Sequence, residues 1–169
     1  QANSHQDWAD LYKRLIFWEM QLENIEDHNL TNILEKQKEE ANTQFGKFVE
    51  KNYEDWINNE DEAPLFSHKL FVRVPELRGN ENVLFVVIDN LRFDQWKAFE
   101  GFVNNHYKVS QEDYYYSILP TATQYARNAI FSGLTPLQME KQLPQYWKND
   151  VDDGGKNLFE AEFLEDQLK

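Results

Sequence analysis

Val83-Leu84-Phe85-Val86-Val87-Ile88 is an unbroken apolar, largely β-branched run, and Asp89 follows it at once. A run of that length and composition reads as a strand buried on both faces of a parallel sheet, because an amphipathic strand would alternate with polar residues. A helical stretch is expected around residues 91–103. Tyr114-Tyr115-Tyr116-Ser117-Ile118 is a second strand candidate, and a helix over 124–131 should follow Pro120. Strand–helix–strand–helix order predicts an α/β fold with a mainly parallel sheet. Ser132-Gly133-Leu134-Thr135-Pro136 breaks the last of these helices, and residues 157–168 form an amphipathic tail built on Leu158, Phe159, Phe163 and Leu164.

The first sixty residues have a different period. Trp8, Leu11, Leu15, Trp18, Leu22 and Ile25 alternate spacings of three and four, which puts them on one helical stripe. Glu26-Asp27-His28-Asn29 interrupts it. A second stripe runs through Leu30, Leu34, Gln37, Ala41, Phe45, Phe48 and Trp56. Two such helices should pack as an antiparallel hairpin, whose apolar face is either internal packing or a dimerisation or interdomain surface. Asn58-Asn59-Glu60-Asp61-Glu62-Ala63-Pro64 is the best boundary, dividing a helical linker domain (1–60) from a second domain (61–169).

Charge narrows the function classes. Residues 1–60 hold 13 acidic and 6 basic side chains, and residues 61–169 hold 17 and 11, so the net charge of −13 is spread along the chain. No basic face is available to displace counterions from duplex nucleic acid. An acidic protein can still hold a phosphoester if bound cations supply the positive charge. The absence of Cys rules out disulfides and thiolate metal cages and fits a reducing cytoplasm. No apolar run reaches the roughly 20 residues of a membrane span, and no signal-peptide pattern opens the chain, so a soluble protein is expected.

Two places can carry chemistry. Asp89 closes the apolar run, where ligands of open α/β sheets collect, so it is a metal-ligand candidate. The competing reading is that Asp89 or Asn90 caps the next helix. Asp94, one turn on, is a second acid that more simply faces solvent. The other place is the helix start within Leu119-Pro120-Thr121-Ala122-Thr123-Gln124-Tyr125-Ala126-Arg127-Asn128-Ala129-Ile130-Phe131-Ser132-Gly133. Backbone N–H groups there suit a phosphate, and a Thr hydroxyl becomes a nucleophile when a divalent metal lowers its pKa. Thr121 and Gln124 match a capping box, which would occupy Thr121 and leave Thr123 over, although on these residues alone either Thr reads first as a helix cap. His5, His28, His68 and His106 show no ligand spacing and read as structural or surface residues. Asp152-Asp153-Gly154-Gly155-Lys156 lacks the remaining features of a phosphate loop and reads as a loop before a helix.

The segments 86–92 and 119–133 resemble the start of a PglZ domain, a branch of the alkaline phosphatase superfamily. With Gly154-Gly155-Lys156-Asn157-Leu158-Phe159 and the hairpin in front, the chain resembles PglZ-domain response regulators of Bacteroidetes that regulate type IX secretion. The resemblance implies a two-zinc site in which Asp89 and Thr123 bind one metal and the Thr123 hydroxyl attacks phosphorus. Related phosphodiesterases space Pro, two residues, the nucleophile and eight residues before a small residue and Gly. From Pro120 that spacing selects Thr123, with Thr121 as second choice. It also implies a sensor histidine kinase, self-association through the helical segment, a sigma factor or other transcription partner, and a nucleotide phosphodiester substrate.

The pattern departs from the family in two ways. No receiver domain precedes Gln1, and the late Asp-His pair and lone His of the zinc site do not follow Ser132. The chain is therefore expected to be an internal fragment, with residues 61–169 the N-terminal part of the PglZ domain, and to be inactive alone. A non-catalytic scaffold binding a sensor kinase or transcription factor is the alternative. The hairpin and small size argue against a phage-defence PglZ protein.

Overall fold

The computed structural model describes residues 2–23, 25, 27–59, 62–73 and 82–169. The chain forms two compact units, one of residues 1–64 with 90–113 and one of 65–89 with 114–169.

The first unit is helical. Helix α1 (His5–Leu22) begins in a capping box: the Ser4 hydroxyl accepts from the Asp7 N–H, and the Asp7 carboxylate accepts from the Ser4 N–H. Helix α2 (His28–Asn58) is capped by Asp27, whose carboxylate accepts from the Asn29 and Leu30 N–H groups at 2.9 and 3.1 Å. Trp8, near the start of α1, packs between Phe45 and Phe48 of α2. His5 meets Trp56 near the end of α2, so the two helices run antiparallel, as their stripes predict. Trp56 is buried at this end and Ile16 and Leu34 toward the turn, whereas Phe17, Trp18, Ile25 and Leu30 are exposed. Helix α3 (Phe93–Asn104) packs on α1, with Phe93 against Tyr12.

The second unit is built around helix α4 (Thr123–Ser132). It packs on a 3-10 turn (Ser67–Lys69), on α5 (Pro136–Gln142) and on α6 (Glu160–Gln167). Phe66, Ile118, Ala129, Ile130, Met139 and Phe163 are its buried apolar core. Gly133 ends α4 at φ +69°, the left-handed position at which a helix terminates readily on glycine. The Ser132-Gly133 break and the amphipathic tail thus appear where they were expected, although the tail helix begins at Glu160 rather than 157.

The parallel sheet does not appear. Among the described residues there is no strand, and the single β-bridge is parallel, between Phe66 and Tyr116. Residues 82–88 have no regular secondary structure, with Leu84 88% and Val86 66% exposed. The physical reason lies in the other strand candidate. Tyr116 donates its N–H to the Leu65 carbonyl (2.7 Å) and accepts from the Ser67 N–H (3.2 Å). The Ile118 N–H goes to the buried Ser67 hydroxyl (3.1 Å). Tyr116 and Ile118 therefore give these backbone groups to 65–67 rather than to 83–88, and a buried strand cannot form unless its own groups are paired. One side chain of the apolar run is held: Phe85 lies 4.5 Å from Phe71, centroid to centroid, and Phe71 in turn reaches Phe131 of α4. No helix among the described residues is long and apolar enough to cross a membrane.

Candidate active site at the start of helix α4

Asp89 stands in a turn at the end of the apolar run, and Asn90 after it takes φ +57°, a conformation Asn tolerates better than most residues. Neither residue caps the following helix. The N-cap of α3 is Arg92, so the capping alternative for Asp89 falls away. Asp94 is committed to Arg92 through two bonds of 3.0 and 2.7 Å, which hold its carboxyl below the usual range. The Asp89 carboxylate instead accepts from Arg127 Nη1 at 2.9 Å, while Arg127 Nε bonds to Glu160. Arg127 is on α4, one turn beyond Thr123, so this ion pair ties Asp89 to the helix that carries the hydroxyl. Tyr115 is also near: burial raises its phenol pKa, and the Asp89 charge raises it further.

The start of α4 differs from the capping box expected there. The N-cap is Ala122, which has no side-chain acceptor, and Thr123 is the first helical residue. Thr121 does not cap. Gln124, the expected partner of Thr121 in the box, instead donates to Asp150, as does the Tyr125 hydroxyl at 3.0 Å. Gln124 is thus committed to Asp150, and the helix begins one residue later than a Thr121 cap would require. With no side chain capping the helix, its first-turn N–H groups can receive an anion. Thr123 is exposed at that end.

Behind Thr123, two amides lock the helix to the loop before α6. Asn128 is buried; its Nδ2 donates to the Lys156 carbonyl at 3.0 Å, and its Oδ1 accepts from Asn157 Nδ2 at 2.8 Å. The same Asn157 Nδ2 lies 3.2 Å from the Thr123 carbonyl oxygen. The 152–156 segment is a loop before α6, as read from the sequence. Reasoning from sequence missed Arg127, Asn128, Asn157 and Glu160. The i,i+4 spacing of Arg127 from Thr123 was the one available signal, since it places both on one face.

The four His residues are not gathered at this site. His5 packs against Trp56, His28 opens α2, buried His68 stacks on Phe66, and His106 meets Phe102. Among the described residues no group of three or more His, Cys, Asp or Glu is placed to hold a metal. Zinc requires at least three protein ligands, usually including His or Cys. Asp89 and Thr123 are oxygen donors of the right kind but do not make a zinc site between them.

Residues 67–168 match the family described as the BREX system PglZ alkaline phosphatase-like domain. The chain belongs to the PglZ family. Residues 1–57 match the PorX response regulator linker domain. The two matches together describe a PorX-like response regulator with a phosphatase-like domain, and they bear out the resemblance carried by the 86–92 and 119–133 segments. No match was found among curated proteins. The PglZ match covers Asp89, Thr123 and their tethers on α4 and α6, and the linker match covers most of the α1–α2 hairpin.

Proposed function

We propose that this chain is part of a cytoplasmic two-component response regulator whose PglZ domain is a zinc-dependent nucleotide phosphodiesterase acting in the regulation of type IX secretion. The division into a helical linker (1–60) and the N-terminal part of the PglZ domain (61–169) belongs to the same proposal. So do a sensor histidine kinase, self-association through the helical segment and a sigma factor or other transcription partner. The observation that carries it is the joint match to a response-regulator linker and a phosphatase-like domain, with Thr123 at the uncapped start of α4. In this reading Thr123 is the nucleophile: its hydroxyl loses its proton to solvent, its oxygen bonds to phosphorus as the bond to the leaving oxygen breaks, and water then displaces the phosphoryl group from Thr123. The first-turn N–H groups of α4 face the phosphoryl oxygens. Asp89 is a metal ligand, and the zinc pair needs further ligands besides Asp89 and Thr123.

The Asp89–Arg127 ion pair favours a second reading, because a cation already neutralises the carboxylate. In that reading the phosphatase-like unit is a non-catalytic module that binds a sensor kinase or transcription factor. Hydrolysis of bis(4-nitrophenyl) phosphate by the intact response regulator, with and without zinc, separates the two. Zinc-dependent turnover that Thr123→Ala lowers by several powers of ten is expected. A fully active Thr123→Ala enzyme would remove Thr123 as nucleophile, and no turnover at all would favour the scaffold.

A further inference from the structure

We propose that Asn157 and Asn128 form a positioning device for Thr123, an inference that rests on Thr123 being the nucleophile. Thr123 is the first residue of α4, where a helix frays most easily because its backbone donors lack intrahelical partners. A nucleophile placed there needs its backbone held by something other than the helix. The Ala122 carbonyl accepts from the Tyr125 and Ala126 N–H groups at 2.9 Å, but its side chain supplies no cap. Asn157 supplies that hold from the opposite wall of the loop, with one amide nitrogen directed at the Thr123 carbonyl (3.2 Å) and at Asn128 Oδ1 (2.8 Å).

Asn128 closes the circuit. It is 3% exposed, lies on α4 just past one turn from Thr123, and uses both amide atoms: Oδ1 receives Asn157, and Nδ2 reaches the Lys156 carbonyl at 3.0 Å. The two side chains fix each other's amide orientation. A flip of Asn128 would set its NH2 against the Asn157 NH2 and its oxygen against the Lys156 carbonyl. With both orientations fixed, the Asn157 donor has one direction, toward the Thr123 backbone. Neither side chain touches the reacting atoms, so both are positioning residues. A misplacement of about 1 Å at a reacting group can cost on the order of a hundredfold in rate.

The test uses the intact response regulator with zinc and bis(4-nitrophenyl) phosphate. Asn157→Asp keeps the shape of the side chain but removes its donor. It is expected to lower kcat about tenfold to a hundredfold with KM within about twofold. Asn128→Asp sets an oxygen against the Lys156 carbonyl, releases the fixed orientation of the pair and is expected to lower kcat in the same direction, with KM again within about twofold. Asn157→Ala supplies the same comparison should Asn157→Asp fail to fold. Assays run below each variant's melting temperature keep the readout free of unfolding. An Asn157→Asp enzyme with unchanged kcat beside an inactive Thr123→Ala enzyme would overturn the positioning role and leave the nucleophile in place. Losses that appear in KM rather than in kcat in both variants would also overturn it, since Thr123 would then be placed without them. An active Thr123→Ala enzyme would instead remove the reading on which the inference stands.

Discussion

Replacing Thr121 by Ala removes a hydroxyl that caps no helix, so denaturant unfolding of the chain should shift by no more than about 0.5 kcal/mol. A larger loss would mean that Thr121 caps α4 in solution after all. Asn128→Ala is the contrasting change. It leaves the Lys156 carbonyl and the Asn157 amide without their partner in a buried setting and should cost about 1–3 kcal/mol in the same measurement. Asp7 offers a test by pH. The Asn3 and Ser4 N–H groups donate to its carboxylate, at 2.9 and 3.0 Å, and hold its pKa below the ordinary Asp value. Because the folded value is the lower one, the stabilisation is present at neutral pH and is lost as pH falls through that folded value. NMR titration of the Asp7 carboxyl carbon should give a midpoint below that of an unfolded Asp. A midpoint at or above it would contradict the capping box.

At the scale of the elements, two glycines should respond in opposite directions. Gly133 sits at φ +69°, and a Cβ there would come within 2.5 Å of the Gln167 amide, so Gly133→Ala should destabilise by about 1–3 kcal/mol. Gly46, inside α2 with nothing within 4 Å of its added Cβ, should gain about 0.5–1 kcal/mol on becoming Ala. Thermal melts of the two variants check both signs. The helices were legible because each writes its period and stops locally: the Trp8–Leu11–Leu15 stripe, the polar interruption at 26–29 and the Gly133 stop all act within a few residues. The sheet was not, because a strand depends on partners elsewhere. Residues 83–88 have strand composition, yet Tyr116 and Ile118 give their hydrogen bonds to residues 65–67. In the site, Asp89 and Thr123 could be named from position and motif. Arg127, Asn157 and Glu160 could not, since the contacts that reveal them span 29 to 38 residues of sequence.

For the whole chain, zinc is the decisive probe. Asp89 is paired with Arg127, and Asp89 and Thr123 offer two oxygens, so titration calorimetry of the chain by itself should show no tight zinc binding. No turnover of bis(4-nitrophenyl) phosphate is expected either. Sub-micromolar binding that disappears in Asp89→Ala would show that the chain does complete a site.

The apolar run has a practical cost that no single contact reveals. Leu84, Val86 and Ile88 are exposed in a stretch without Pro, Gly or charge, which is the composition from which cross-β fibrils nucleate. Concentrated solutions of the chain should therefore turn cloudy on standing and bind thioflavin T, despite a net charge of −13 that otherwise keeps molecules apart. A gatekeeper carboxylate in the middle of the run, Val86→Glu, should delay that onset and leave the melting temperature nearly unchanged, because the Val86 side chain is 66% exposed to begin with.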